Sequence, residues 1–412
     1  MHRSEVRSLC FILAVFISSS VYGDEHWPQF RGPSGDGKAI EAKLPSAVNE
    51  KDVAWKVEIE GKGWSSPVVW GNQVWLTSAT EDGTEMSVIC VDKDSGDILF
   101  NRVLVENDQP AFCHPMNSYA SPTPVIEEGR VYVHFGSYLT ACLDTKTFET
   151  IWERRDLECD HHRGPASSPI LFDGKLFVAY DGFDVQYVVA FDKVTGRTVW
   201  RRDRDIEYGT DNGDLKKAYG TASVIHVDEQ PLVIYPSAIA TIAYDPATGG
   251  TVWKVYHGGM NASARPIYQD GLVFIINGMG AMVAVRPDGK GDVSATHIGW
   301  SAERAIAKKS SPLVIEGLLY MNSDDGIVTC RSAKTGDLVW QERIGGKYAA
   351  SPIYADGRIY CFGMSGEVVV FRPGKEFDLV SKTKIGDGFM ASPAVVNNSL
   401  ILRSRTSLFC IR

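Results

Sequence analysis

From residue 52 onward the chain alternates apolar and polar residues in short runs separated by Gly, Asn, Asp and Pro, and no 3.6-residue periodicity persists. That pattern predicts half-buried β-strands rather than helices. One unit recurs. It opens on Ser-Pro and a short apolar strand, turns on Gly, and continues in a second strand carrying Tyr, Phe or Trp. It closes with a third strand, an Asp-x-x-Thr-Gly turn, three residues and Trp. The closing half is cleanest at Ala190–Trp200 and Ala243–Trp253, and degraded copies end at Phe100, Trp152, Trp300, Trp340 and Val380. The opening falls at Pro67, Pro122, Pro169, Val224, Pro266, Pro312, Pro352 and Pro393, with Pro lost at Val224 and Arg265 in place of Ser before Pro266.

Openings 40 to 55 residues apart fit the four-stranded blade of a propeller. The eighth unit stops at Cys410-Ile411-Arg412, short of an outer strand, whereas Asp52–Val57, with Trp55, precedes the first opening. That segment is expected to complete the eighth blade and remove the free edges. The fold class is therefore all-β: an eight-bladed β-propeller of four-stranded antiparallel blades over 52–412, closed by an N-terminal strand and preceded by an extension at 24–51.

The repeat has a packing logic. Asp can accept backbone N–H groups ahead of it and Gly tolerates positive φ, so the turn is tight and sets the outer strand. Trp55, Trp152, Trp200, Trp253, Trp300 and Trp340 share the slot that follows and are read as structural docking residues between blades. Cys90, Cys142, Cys330 and Cys410 share a third-strand slot with Ala190, Ala243 and Ala284, where a small apolar side chain is wanted.

The Ala-x-Asp-x-x-Thr-Gly-x-x-x-Trp element resembles the tryptophan-docking motif of pyrroloquinoline quinone (PQQ)-like repeat propellers. That family includes quinoprotein alcohol dehydrogenases and the B subunit of the bacterial outer-membrane barrel assembly machine. The resemblance covers about residues 52–412. Trp27-Pro-Gln-Phe-Arg-Gly-Pro33 also looks like the opening of many secreted bacterial members. A quinoprotein enzyme would imply PQQ over the central channel, with calcium, an adjacent-cysteine disulfide and a catalytic Asp. This chain has no adjacent cysteines, and no calcium or catalytic set carries over by motif, so no catalytic residue and no cofactor are assigned.

Charge changes the picture of partners. The 42 Lys+Arg against 51 Asp+Glu leave a net charge of −9, which excludes a general affinity for nucleic acid. Residues 1–23 read as a secretion signal. Arg3 and Arg7 precede the apolar run Leu9–Ile17, which is shorter than the ~20 residues a bilayer span requires, and small residues end the segment. The protein is thus expected to be exported, periplasmic or extracellular, monomeric, and without a transmembrane segment after cleavage. Seven cysteines then remain, so at least one is unpaired.

Loop lengths indicate where function sits. From docking residue to next opening, five junctions take 12 or 13 residues and three consecutive ones take 22, 17 and 24. Long loops cost ordering entropy and signal binding or bracing. They carry Cys113, His114, Asn117 and Tyr119; then Cys159, His161, His162 and Arg163; then Lys216 and Lys217, with Asp181 and Asp184 in a loop beside the second. Apart from the two cysteines, these are the candidate binding residues, with Arg163, Lys216 and Lys217 supplying positive charge. His and Asp are also metal-ligand types, but their spacing matches no established motif, so the metal content is left open. Cys113 and Cys159 occupy matching places in neighbouring junctions, and a disulfide between them is expected.

Together these features describe an exported, non-catalytic propeller binding an envelope protein or polar ligand on its loop-rich face. A PQQ-dependent alcohol or sugar dehydrogenase, with calcium, is the alternative. A polysaccharide-binding module using aromatics such as Trp64 or Tyr119 is a third reading.

Overall fold

The computed structural model describes residues 25–412; the proposed signal segment lies outside them. Strands dominate, with three single-turn 3₁₀ segments at 50–52, 136–138 and 213–215 as the only helical elements among the described residues. Eight antiparallel sheets of four strands are arranged as blades, two of them extended by a fifth strand. Blade 1 is Val68–Trp70, Gln73–Ala79, Glu85–Asp92 and Ile98–Glu106, ordered from the axis outward. In blade 8, Val53–Glu58 pairs antiparallel with Ser407–Ile411, placing Trp55 opposite Cys410. The first strand of the repeat region therefore closes the ring.

Each blade interface is its own small core. Trp75, Val88 and Cys90 of blade 1, for example, pack on Val131, Val133 and Leu143 of blade 2. In all eight blades the pairing of third and outer strands shifts register by one residue, a bulge that seats the docking slot opposite the small third-strand residue. Five of the six slot tryptophans donate Nε1–H to a turn carbonyl of the next blade at 2.8–3.1 Å. The exception is Trp253, fully buried, whose indole N–H has no partner among the described residues. The ring lies flat on the turn glycine: a Cβ on Gly196, at φ +70°, would stand 2.6 Å from Trp152. Any side chain there would displace the tryptophan.

Three positions correct the sequence register. Each opening is marked by the residue before Pro, whose hydroxyl accepts the N–H of its counterpart in the preceding blade. Those links run Ser66 to Thr123, Thr123 to Ser168 and Ser168 to Thr221, then Arg265 to Ser311, Ser311 to Ser351, Ser351 to Ser392 and Ser392 to Ser66, at 2.9–3.1 Å. Blade 2 therefore opens at Pro124, not Pro122, and blade 4 at Ala222, not Val224. The outer strand of blade 7 places Ser381, not Val380, opposite the third-strand slot. The belt of hydroxyls is interrupted only where Arg265 replaces Ser.

Residues 25–39 cross the channel below this belt. Trp27 bridges to Val69, Pro28 accepts from Ile126, and Lys38–Ala39 pairs parallel to Tyr354–Ala355. Arg31 reaches up to the carbonyls of Pro312 and Pro352 at 2.7 and 3.1 Å. Arg265 holds this segment through the Phe30 carbonyl and Gln29 Oε1. The channel is closed at this end.

Candidate functional site

At the opposite end, the axis opens into a cavity of about 490 Å³. Its wall follows from the repeat. The residue three positions before each opening lines it: Trp64, Ser121, Ala166 and Tyr219, then Ser263, Lys309, Ala349 and Met390. An antiparallel blade brings junctions and second-to-third-strand loops to one face, so Met279 and Asp324 join the wall from such loops. The position-minus-one hydroxyls form the next layer down, and the Arg31 guanidinium lies beneath them.

The long junctions supply His114, Met116 and Asn117 from the first and Arg163 from the second. Asn117 staples these two together: Nδ2 donates to the Arg163 and Pro165 carbonyls at 2.9 and 3.2 Å, and Oδ1 accepts from Ser121 Oγ at 2.6 Å. His114 Nδ1 accepts the Met116 N–H at 3.1 Å, so neutral His114 carries its proton on Nε2. Arg163 reaches Asp214 at 3.1 Å, and the buried Lys217 ammonium bonds the same carboxylate. Burial, and then the nearby Arg163 charge, lower the Lys217 pKa to about 8. Lys217 is thus a brace between junctions rather than a rim cation. Lys216 is half-buried and makes no side-chain hydrogen bond or ion pair among the described residues.

The other candidates stand outside the cavity. Tyr119 is buried against Gly83, its hydroxyl donating to the Ala111 carbonyl at 2.6 Å. His161 Nε2 accepts the Ser137 N–H at 3.0 Å, and burial lowers its pKa to about 4. His162 packs on Phe183 with ring centroids 5.0 Å apart. Asp181 makes a two-pronged, fully buried pair with Arg204 at 2.9 and 2.6 Å. Asp184 caps the backbone N–H groups of Asp160 and Val185.

The expected Cys113–Cys159 disulfide is not made; both are free thiols. Cys113 Sγ packs at Gly164 near the Arg163 carbonyl, whereas Cys159 Sγ faces blade 3, against Gly182 and His161 Nδ1. Matching places in the junctions therefore turn to different neighbours.

PQQ with calcium does not fit the donors present. Calcium takes six to eight oxygens, largely carboxylate and carbonyl. The cavity's carboxylate, Asp324, is ion-paired with Lys309, and Asp214 behind the wall is shared by Arg163 and Lys217. No group of three or more His, Cys, Asp or Glu residues is placed to hold a metal among the described residues.

Sequence reasoning reached His114, Asn117 and Arg163 through loop length, but not Met116, Tyr219, Lys308, Lys309 or Asp324 as site residues. The signal was present in the repeat: once the register is right, the minus-three position names eight wall residues. Two of the missed features are chemically incomplete. Tyr219 OH and Asn261 Oδ1 are buried in the wall without a hydrogen-bond partner among the described residues.

The family model described as outer membrane protein assembly factor BamB matches residues 44–185 and 184–412. BamB of Yersinia pestis is 25% identical over 197 residues, 44% of this chain and 48% of its own length. That of Moranella endobia is 24% identical over the same shares. The chain thus matches about half the length of these curated relatives. Among solved structures, quinohemoprotein alcohol dehydrogenase from Comamonas testosteroni superposes with a TM-score of 0.73 at 12% identity, covering 96% of this chain and 81% of that one. BamB from Moraxella catarrhalis gives 0.63 at 14%, covering 87% and 99%. At such identities the likeness shows the fold alone.

Proposed function

We propose, from the premise that this chain belongs to the outer membrane protein assembly factor BamB family, that it is a non-catalytic, exported propeller acting as a scaffold for other cell-envelope proteins. The partner face is the one bearing the three long junctions and the mouth of the axial cavity. One observation carries this reading: the cavity is walled by side chains from every blade, while its carboxylate and its cations other than Lys308 are tied up in braces rather than arranged for chemistry. Such a wall is rigid, and rigid scaffolds presenting loops are a common way to build recognition surfaces.

The test is site-specific photocrosslinking in cells. A photoreactive residue at Met279, on the junction face but outside the three long junctions, should trap envelope proteins, and one at Val199, on an outer strand, should not. Trimming the three junctions to the 12-residue baseline should abolish those crosslinks. Crosslinks that survive trimming with the fold intact would refute the assignment of the face. The quinoprotein reading keeps only the fold likeness in its favour.

A further inference from the structure

The cavity has a chemical character that a general scaffold does not require. Its wall is largely apolar and adaptable. Met116 and Met279 are about half exposed at 47% and 51%, and Trp64 stands beside Met390 at the same repeat position on the neighbouring blade. Methionine adapts its shape to irregular partners. Around this apolar mouth the charge is positive, on a chain whose net charge is −9. Lys62 and Arg405 lie over the Trp64 ring at 5.6 and 5.9 Å, and neither they nor Lys308 makes an ion pair among the described residues.

Beneath and behind the wall are three buried guanidinium groups, Arg31, Arg265 and Arg403, held by carbonyls, hydroxyls and an amide oxygen rather than by carboxylates. Asp36 offsets part of the charge on Arg31 and Arg265, and the buried positive charge that remains projects a field along a low-dielectric channel and favours an anion at its mouth. The wall also lacks partners for one hydroxyl and one amide oxygen. Tyr219 can donate and accept, and Asn261 Oδ1 can accept. Buried polar groups left unpaired call for an explanation, and a peptide backbone supplies both complements.

We propose that the axial cavity receives an extended acidic segment of a partner protein. One apolar side chain sits between Trp64 and Met390, a neighbouring carboxylate faces Lys308, and the segment's backbone satisfies Tyr219 and Asn261. This rests on the junction face being the partner face. The volume, about 490 Å³, suits one or two side chains and excludes a folded domain.

The test is calorimetric titration of the full chain with two synthetic decapeptides, one alternating leucine with glutamate and the other leucine with lysine. The glutamate peptide should bind with one-to-one stoichiometry, and at least tenfold tighter than the lysine peptide. Lys308→Glu should weaken it at least tenfold and Tyr219→Phe three- to tenfold, with thermal midpoints unchanged. Equal binding of the two peptides, no saturable binding, or affinity unaltered in both folded variants would overturn the proposal. So would displacement of the glutamate peptide by PQQ with calcium at equimolar concentration. If junction trimming abolishes the in-cell crosslinks while Lys308→Glu leaves them intact, the face stands and this inference fails. If the glutamate peptide binds as expected but trimming changes no crosslink, the scaffold reading fails and the peptide site stands.

Discussion

Acidification from pH 7 to 5 should destabilise the folded propeller, because histidines locked in its interior cannot charge in place. His134 is 1% exposed, with Nδ1 2.8 Å from Thr140 Oγ1 and its ring edge-on to Tyr180. Burial lowers its pKa to about 3, and His161 pushes in the same direction. His257, 7% exposed, is lowered to about 4 by burial, against two backbone hydrogen bonds that favour its charged form. His161 is also lowered to about 4 by burial, with Asp160 and Asp184 opposing; it retains some exposure, so its share is smaller. The unfolded chain binds protons below pH ~6.5 that the native state refuses, so stability is unaffected above that value and falls as pH drops toward 4. Each histidine contributes about 1.4 kcal/mol per pH unit, so at pH 5 His134 and His257 together remove about 4 kcal/mol. Turn carboxylates such as Asp144 and Asp192, held below their ordinary 3.8, titrate below this window, whereas burial raises Asp181, which acts in the opposite sense to the histidines. Urea midpoints between pH 7.5 and 5.0 measure the slope, which His134→Gln and His257→Gln should each flatten. An unchanged slope in both variants, or the His134 and His257 imidazole resonances of the folded protein titrating near pH 6.5, would refute the reasoning.

Trp152→Ala removes a 9%-exposed ring together with its bond to the Lys193 carbonyl and should cost about 3–5 kcal/mol in chemical denaturation. Trp253→Phe, which orphans no hydrogen bond, should cost under ~1.5 kcal/mol, and the reverse order would contradict the docking account. Arg265→Ser restores a hydroxyl to the belt but releases the segment under the channel. Trypsin should then cut after Arg31 at least tenfold faster, equivalent to about 1.4 kcal/mol of local opening, with the global melting midpoint little changed; continued protection would show that Arg265 is no clamp. Reconstitution with PQQ and calcium should yield no dye-linked alcohol oxidation, because Lys309 occupies Asp324; robust turnover would revive the enzyme reading.

Blade number and ring closure were legible because Trp55 and the Asp-x-x-Thr-Gly-x-x-x-Trp units repeat a packing contact that only a ring of blades supplies. Register failed where local chemistry is degenerate. Ser121-Pro122 and Thr123-Pro124 are successive hydroxyl–proline pairs, and only the hydrogen bond from Ser66 distinguishes them. Blade 4 has lost Pro and blade 7 has lost Trp, so Thr221 and Ser381 declare themselves only through partners on neighbouring strands. The same degeneracy hid the cavity, since its wall is a column of the repeat that cannot be read across until the rows are aligned. Loop length pointed to the correct face but not to side-chain direction, and so Tyr119 and His161 turn inward while Met116 lines the mouth.

Closing the ring with Val53–Glu58 also imposes an order on biosynthesis. Trp55 faces Cys410, 355 positions later in the chain. At about 5–20 residues per second, the earlier strand waits roughly 20–70 s for its partner to be made. During that interval a β-competent segment is unpaired, and blades 1 to 7 can assemble only as an open arc. Such a segment is an aggregation hazard until the last contact forms. A long wait of this kind makes nascent-chain protection, rather than the final stability of the ring, the limit on yield of folded protein.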